Sequence, residues 1–344
     1  MATIKEIAKL AHVSTATVSN VLNGKAGAAS AEKTAEITAI ARQLNYTANV
    51  FARRLQQGKS DCIGVITEDL TVFNTPYIVD GIDAACKEYG YEMLLENMRF
   101  FKHFDIDFSD VEGRRTLCTE RISSLLAKQV EGIIYVGNHC REISYVPEDI
   151  GVPFVYAYCY GTKGSHPSVL MDDENGGYEI TKRLISHGHR TIGVICGPFS
   201  SYHTQKRLTG YQGALFDNRI FYNAKCVVYG DWSKEAGYRL AETLCKQDCT
   251  ALFAFNDLMA VGAADWCREH NLVPGVDIAI FGFDDREVSR YCTPQISTAT
   301  LPLYDIGYMC AQLVIKHEEN TKDHILLPCR IQERGSSEFY HLKD

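Results

Sequence analysis

Over the first sixty positions, apolar residues recur at helical spacing between polar caps. Thr3-Ile4-Lys5-Glu6 has the form of a capping box, and Ile4, Ile7, Ala8 and Ala11 follow on one helical face, so a first helix is expected from about Ile4. His12-Val13 makes a short turn. Ser14 then caps a second helix whose Val18, Val21 and Leu22 face inward, and Asn23-Gly24 ends it. A polar loop runs to Ser30, after which Ile37, Ile40, Ala41 and Leu44 give a third amphipathic helix. The pattern is a helix-turn-helix closed by one more helix, a unit barely self-sufficient in size.

From Cys62 onward the pattern changes to short apolar runs alternating with helical stretches. The runs are Ile63–Ile66, Gly132–Val136, Phe154–Ala157, Ile192–Cys196, Cys226–Tyr229, Ala251–Phe255 and Ile278–Phe283. Such alternation predicts parallel sheets covered by helices. Neither G-x-G-x-x-G nor G-x-x-x-x-G-K-[ST] occurs, which argues against a dinucleotide or nucleoside-triphosphate site.

Composition sharpens this division. A chain of 344 residues with 46% hydrophobic content has room for more than one domain. Its net charge of −8 hides an asymmetry. Residues 1–60 hold eight bases (Lys5, Lys9, Lys25, Lys33, Arg42, Arg53, Arg54, Lys59) against Glu6, Glu32 and Glu36, a net of +5, which leaves −13 for the remainder. Only the head is fit to meet a polyanion. The start lacks a basic segment followed by an apolar one, and no stretch approaches a membrane span, so a soluble, cytoplasmic, nucleoid-associated protein with no membrane partner is expected. The 13 cysteines are scattered without C-x-x-C or Cys/His ligand spacing, so they read as reduced structural thiols; no metal and no cofactor is expected.

An α-helix fits the major groove with its first residues at base edges, which makes the second helix the candidate reader. Thr15 and Ala16 offer hydroxyl and methyl contacts, Asn20 one turn on can pair with adenine, and Ser14, Thr17 and Ser19 suit phosphate oxygens. Asp172-Asp173-Glu174 and Asp284-Asp285 could be proposed as paired carboxylates for acid–base or metal work, but adjacent residues usually diverge. No Ser/His/Asp or Cys/His set has a recognisable context, and no catalytic residue is assigned.

The run from Thr3 to Gly24 resembles, almost position for position, the amino-terminal signature of the lactose-repressor (LacI/GalR) family. The resemblance implies base readout at Thr15, Ala16 and Asn20, where many members have Arg in place of Asn20, and further DNA contacts at Thr3, Asn23 and Tyr46. Asn45 to Leu55 resembles the family's hinge, implying a helix at about 49–57 capped by Asn49. It would fold on DNA, with Ala52 and Arg53 at the duplex and Leu55 wedged into the minor groove. Ala48 stands where the family usually has Pro.

The body resembles the family's two-lobed periplasmic-binding-protein-like (type I) fold, including Gly188-His189-Arg190-Thr191-Ile192-Gly193, Phe255-Asn256-Asp257-Leu258-Met259-Ala260 and Gly282-Phe283-Asp284-Asp285. This implies an effector-binding and dimerisation domain at 61–340, with lobe one at about 61–160 and 293–320 and lobe two at about 161–292 and 321–340. Effector contacts are implied at Phe73, Arg207, Trp232, Asn256 and Asp284, and at Tyr158, which stands where sugar-binding relatives often have Asp. Leu301 replaces a frequent Gln, and Ser201 and His203 differ from a purine-responsive relative. The segment Asn97 to Arg115 is longer than the family's usual connection and is expected to lengthen one cleft wall. The resemblance thus implies a regulator, a repressor in most relatives, that binds a pseudo-palindromic double-stranded operator as a homodimer under control of a small-molecule effector, a sugar. The alternatives are control by a protein corepressor, as in the family's catabolite-control branch, or a ligand-binding protein without DNA regulation.

Overall fold

The computed structural model describes residues 3–46, 60–104, 110–162, 166–318 and 324–337. The hinge expected at 49–57, with Asn49, Ala52, Arg53 and Leu55, lies outside the described residues. The chain divides into two compact units, Met1–Ser60 and Asp61–Asp344.

The head holds the three expected helices, α1 (Ile4–Leu10), α2 (Thr15–Leu22) and α3 (Ala31–Gln43). Each starts on a side-chain cap that satisfies an otherwise orphaned amide. At α1 the capping box closes in both directions, with Glu6 N donating to Thr3 Oγ1 and Thr3 N to Glu6 Oε2. Ser14 Oγ accepts from Thr17 N at 3.0 Å and Ser30 Oγ from Lys33 N at 3.2 Å. Ile7, Ala11, Val18, Val21, Ile37 and Ala41 meet in a miniature core, with Leu44 and Tyr46 against its margin.

The body begins with β1 (Cys62–Thr67), α4 (Thr75–Tyr89), β2 (Glu92–Asn97), α5 (Phe100–His103), α6 (Val111–Ala127) and β3 (Gly132–Val136). After these come β4 (Glu142–Ile143), β5 (Phe154–Ala157), β6 (Tyr160–Gly161), β7 (Ser168–Asp172) and α7 (Asp173–Ser186). The next elements are β8 (Ile192–Cys196), α8 (Tyr202–Asp217), β9 (Val227–Tyr229), α9 (Lys234–Cys245), β10 (Ala251–Ala254) and α10 (Asp257–Glu269). The last are β11 (Ala279–Phe281), α11 (Val288–Tyr291), β12 (Thr298–Thr300), α12 (Leu303–Ile315), β13 (His324–Pro328) and β14 (Arg330–Gln332).

Among the described residues the two largest sheets are all-parallel, ordered β13-β7-β5-β3-β1-β2 and β11-β10-β8-β9. Period-2 alternation sends Ile134 and Val136 of β3 to one face of the first sheet, in the main core. Ile133 and Tyr135 go to the other face, in a second cluster under α6. The lobe boundary expected near residue 160 needs correction, because β7 pairs with β5 and β13 with β7. Residues 168–172 and 324–328 therefore belong to the first sheet rather than to lobe two.

The segment Asn97 to Arg115 departs from expectation as well. Phe100 is buried in the second cluster, Phe104 meets it edge-on at 5.4 Å between centroids, and the Arg114 guanidinium lies about 5 Å from both rings. Its described residues cover the sheet's outer cluster and line none of the cleft cavity described below.

Candidate functional site

The head presents a polar face on α2. Val18 and Val21 are buried, whereas Thr15 and Ala16 are exposed and Asn20 is half-buried, four positions from Ala16 on the same helical face. The Ser14 and Thr17 hydroxyls hydrogen-bond each other at 2.9 Å, and Asn23 Nδ2 donates to Ser19 Oγ at 3.3 Å. Thr3 is committed to the capping box and Tyr46 packs against the head's core, so both have structural work besides any DNA contact.

In the body, the cavity at the carboxyl ends of the strands, where open α/β sheets gather ligands, has a volume of about 220 Å³. Phe73, Tyr158, Arg207, Trp232, Asn256 and Asp284 all line it, although up to 211 positions separate them in the chain. Drug-sized ligands usually occupy ~300–1,000 Å³, so this space suits something smaller. A depression of about 520 Å³ adjoins it, sharing Phe73, Asp284 and Arg286. A larger one, about 610 Å³, lies on the α7 and α8 surface, but Lys206 and Glu174 in its lining already pair at 3.1 Å. The smaller cavity has the convergent buried polar groups that mark a binding site.

The electrostatic centre is Arg207, 2% exposed on α8. Its Nε donates to Asp173 Oδ1 at 2.7 Å, Nη1 donates to the Phe255 carbonyl and stands 3.6 Å from Asp284 Oδ1, and the guanidinium covers the Phe283 ring at 3.6 Å. His203, one helical turn earlier, reaches the other oxygen of Asp173 at 2.8 Å. Burial alone raises the pKa of Asp173, but the charges of His203 and Arg207 outweigh it and hold the carboxyl below its usual range. Asp284 has weaker compensation. Burial pushes its pKa up to about 6 against the opposing pull of Arg207, His203 and Arg286. Burial also keeps His139 neutral by lowering its pKa to about 4, and holds the Tyr158 phenol well above its ordinary range.

Local backbone fixes the remaining members. Asn256 caps α10, its Oδ1 accepting from Met259 N at 2.8 Å, while its Nδ2 donates to the Trp232 carbonyl at 2.9 Å, so its amide holds the tryptophan loop. The indole lies over Gly197, where a Cβ would come within 2.1 Å of Cζ2. The Phe73 ring is covered by the Arg286 guanidinium at 4.7 Å, so Trp232 is the better candidate to stack on a ligand. Asp284 N donates to the Ala299 carbonyl at 2.9 Å. Tyr158, Trp232 and Asp284 have φ of 62°, 72° and 109°, and such clustering of left-handed residues is typical of sites that hold side chains against local preference.

Sequence reasoning assigned no role to Asn138, His139 and Arg286, which also line the cavity, nor to Asp173 as the anchor behind it. The first two follow the end of β3, and the rule that ligands gather at strand carboxyl ends is the signal that points to them. A second buried network lies beside them. Glu68 Oε1 accepts from Arg141 Nη2 at 2.5 Å and from Tyr135 and Tyr145 at 2.8 Å, and its Oε2 accepts from Arg141 Nη1 at 3.0 Å. Despite full burial, Arg141 holds Glu68 below its usual pKa.

Comparison with known proteins places these features in context. Residues 3–49 match the family of bacterial regulatory proteins described as the lacI family, and residues 181–337 match the periplasmic binding protein-like domain. The chain is 30% identical over 329 residues to the ribose operon repressor of Haemophilus influenzae, covering 94% of each. It is 30% identical to catabolite control protein A of Priestia megaterium, covering 97% of this chain and 99% of that one. Among solved structures it is similar to the lac repressor dimer bound to operator and the anti-inducer ONPF, with TM-score 0.75, 26% identity and coverage of 98% and 99%. It is also similar to the transcriptional regulator CelR–cellobiose complex, with TM-score 0.64, 26% identity and coverage of 98% and 100%.

Proposed function

Because the chain belongs to the lacI family of bacterial regulatory proteins, we propose that it is a transcriptional repressor that binds a pseudo-palindromic operator as a homodimer and responds to a small sugar held in the body's cleft. The observation that carries the DNA half is α2, whose Thr15, Ala16 and Asn20 are free of the core on a capped helix in a head of net charge +5. Of the relatives named above, the ribose operon protein and the lac protein are repressors by name. The lac repressor was seen as a dimer on operator, which supports a symmetric pair of heads here.

The cleft supports the sugar half. Trp232 offers an apolar face, and Asp284 and Arg207 offer an acceptor and donors on one wall of a cavity of about 220 Å³. Asn256 supports this arrangement from behind through its hold on Trp232. The relative in complex with cellobiose holds a sugar. Effector binding shifts the population between an operator-binding and a non-binding state, and the shift is limited to the ligand's differential affinity, typically ~1–3 kcal/mol.

A mobility-shift titration of the full chain on the intergenic DNA upstream of its own gene tests the first half. Retention at competitor levels that strip random DNA is the expected result. Asn20→Ala should relax base preference at one symmetric position, costing ~1–3 kcal/mol there and little on random DNA. Equal losses on cognate and random DNA would remove Asn20 as a reader. A thermal-shift screen with neutral sugars tests the cleft, since a ligand at ~100 times its dissociation constant adds ~2.7 kcal/mol of stability.

A further inference from the structure

Asn138, at the loop following β3, lines the cleft cavity and is 1% exposed. Its main chain is clamped on both sides. The N–H donates to Glu68 Oε2 at 2.8 Å, and the carbonyl accepts from Asn74 Nδ2 at 3.2 Å. Since Glu68 is locked by Arg141, Tyr135 and Tyr145, moving this segment would break a buried charge network. Yet the side chain on this clamped backbone has no hydrogen-bond partner at either Oδ1 or Nδ2. Asn74 Oδ1, Thr75 Oγ1 and Thr204 Oγ1 are likewise buried without partners. These residues sit in the stretches 74–75 and 204, next to the cavity-lining Phe73 and His203.

A buried amide left unsatisfied carries the full penalty of its desolvation, and an apolar side chain of similar shape would avoid it. Retaining an amide there makes physical sense where something else completes its hydrogen bonds. We propose that Asn138 is a specificity-determining residue of the effector cleft, its carboxamide donating to one hydroxyl and accepting from the adjacent hydroxyl of a bound polyol. The proposal rests on the cleft being the sugar site. A carboxamide presents a donor and an acceptor side by side, and a vicinal diol presents the complementary pair. Only a rotation of the Asn138 side chain about its own torsion, with the clamped backbone unmoved, is required for it to meet a ligand in the cavity it lines. A deoxy sugar lacking one of the two hydroxyls leaves half of the amide unpaired, and sites of this kind reject such analogues strongly.

The test compares full-length wild type with Asn138→Leu and Asn138→Ala. It uses melting temperature without ligand and calorimetric affinity for D-ribose, D-glucose and D-galactose and their 2- and 3-deoxy counterparts. The ligand-free variants should melt at or above the wild-type temperature. Affinity for the sugar the wild type prefers should fall at least tenfold, and discrimination against its deoxy forms should collapse. A lower melting temperature in both ligand-free variants would make the carboxamide structural and overturn the proposal, as would a wild type that binds sugar with unchanged affinity in Asn138→Leu. Silence of the wild type towards every sugar would overturn the sugar reading of the cleft, and the proposal with it. The first two outcomes leave that reading standing.

Discussion

Burial sets the chemistry of Asp284 before any ligand arrives. Its carboxyl is raised from an ordinary 3.8 to about 6, so between these values the unfolded chain ionises while the folded chain keeps its proton. Below the window both states are protonated and nothing is lost. As pH rises through it, Asp284 withdraws stability on the order of 3 kcal/mol, and above about 6 the loss is complete. Asp173 and Glu68, both held below their usual ranges, work in the opposite sense and lose stability as pH falls, so the whole-protein curve mixes the two trends. The difference between wild type and Asp284→Asn isolates the residue: the variant should gain on the wild type as pH is raised from 4 to 7. Urea unfolding at intervals across that range is the measurement, and parallel curves would show that Asp284 ionises normally.

At the scale of elements, the cleft depends on how closely α7 and α8 approach. Asp173 opens α7, while His203 and Arg207 stand on α8, so the buried triad spans two helices. Contact between their backbones is permitted by glycines facing each other. A Cβ on Gly177 would meet the Arg207 carbonyl oxygen at 2.4 Å, and one on Gly210 would meet the Glu174 carbonyl oxygen at 2.0 Å. Gly210→Ala must therefore part the helices, since neither carbonyl can swing aside. The expected cost is about 1–3 kcal/mol or more in urea unfolding, with a weakened sugar response in thermal shift. Wild-type values in both assays would mean that the helices adjust freely.

The same scale shows which elements were legible. Gly132–Val136, Phe154–Ala157 and Ile192–Cys196 appear where continuous apolar runs placed them, because strands buried on both faces leave that signature. The edge strands β2 and β13 hold only three consecutive apolar residues each, Met93 to Leu95 and Ile325 to Leu327, and their half-exposed faces leave no longer run, so both were missed. So was β7, whose three apolar residues are bounded by Ser168 and Asp172. Missing β7 and β13 is what misplaced the lobe boundary.

For the whole molecule, the separation of charge makes a prediction about salt. A head of +5 on a remainder of −13 confines phosphate contact to one end, and each phosphate neutralised releases counterions. A dimer making ~6–10 such contacts should lose roughly a thousandfold or more in operator affinity between about 50 and 200 mM salt, whereas affinity for the sugar proposed at the cleft should change little. Binding isotherms for both ligands at several salt concentrations distinguish the two, and a salt-independent operator affinity would contradict phosphate gripping by the head.

What the sequence determined by itself were properties that a few neighbouring residues settle. These include the three helices with caps at Thr3, Ser14 and Ser30, the central parallel strands, the basic head and the family resemblance. Capping and apolar periodicity act over one or two turns, so they are written where they operate. Folding alone decided that Phe73, Tyr158, Arg207, Trp232, Asn256 and Asp284 line one cavity, that Asn256 spends its amide on Trp232, and that Asp284 is deprived of water. Desolvation and saturation of hydrogen bonds depend on every group packed around an atom, and those groups come from elements that no local pattern in the chain connects.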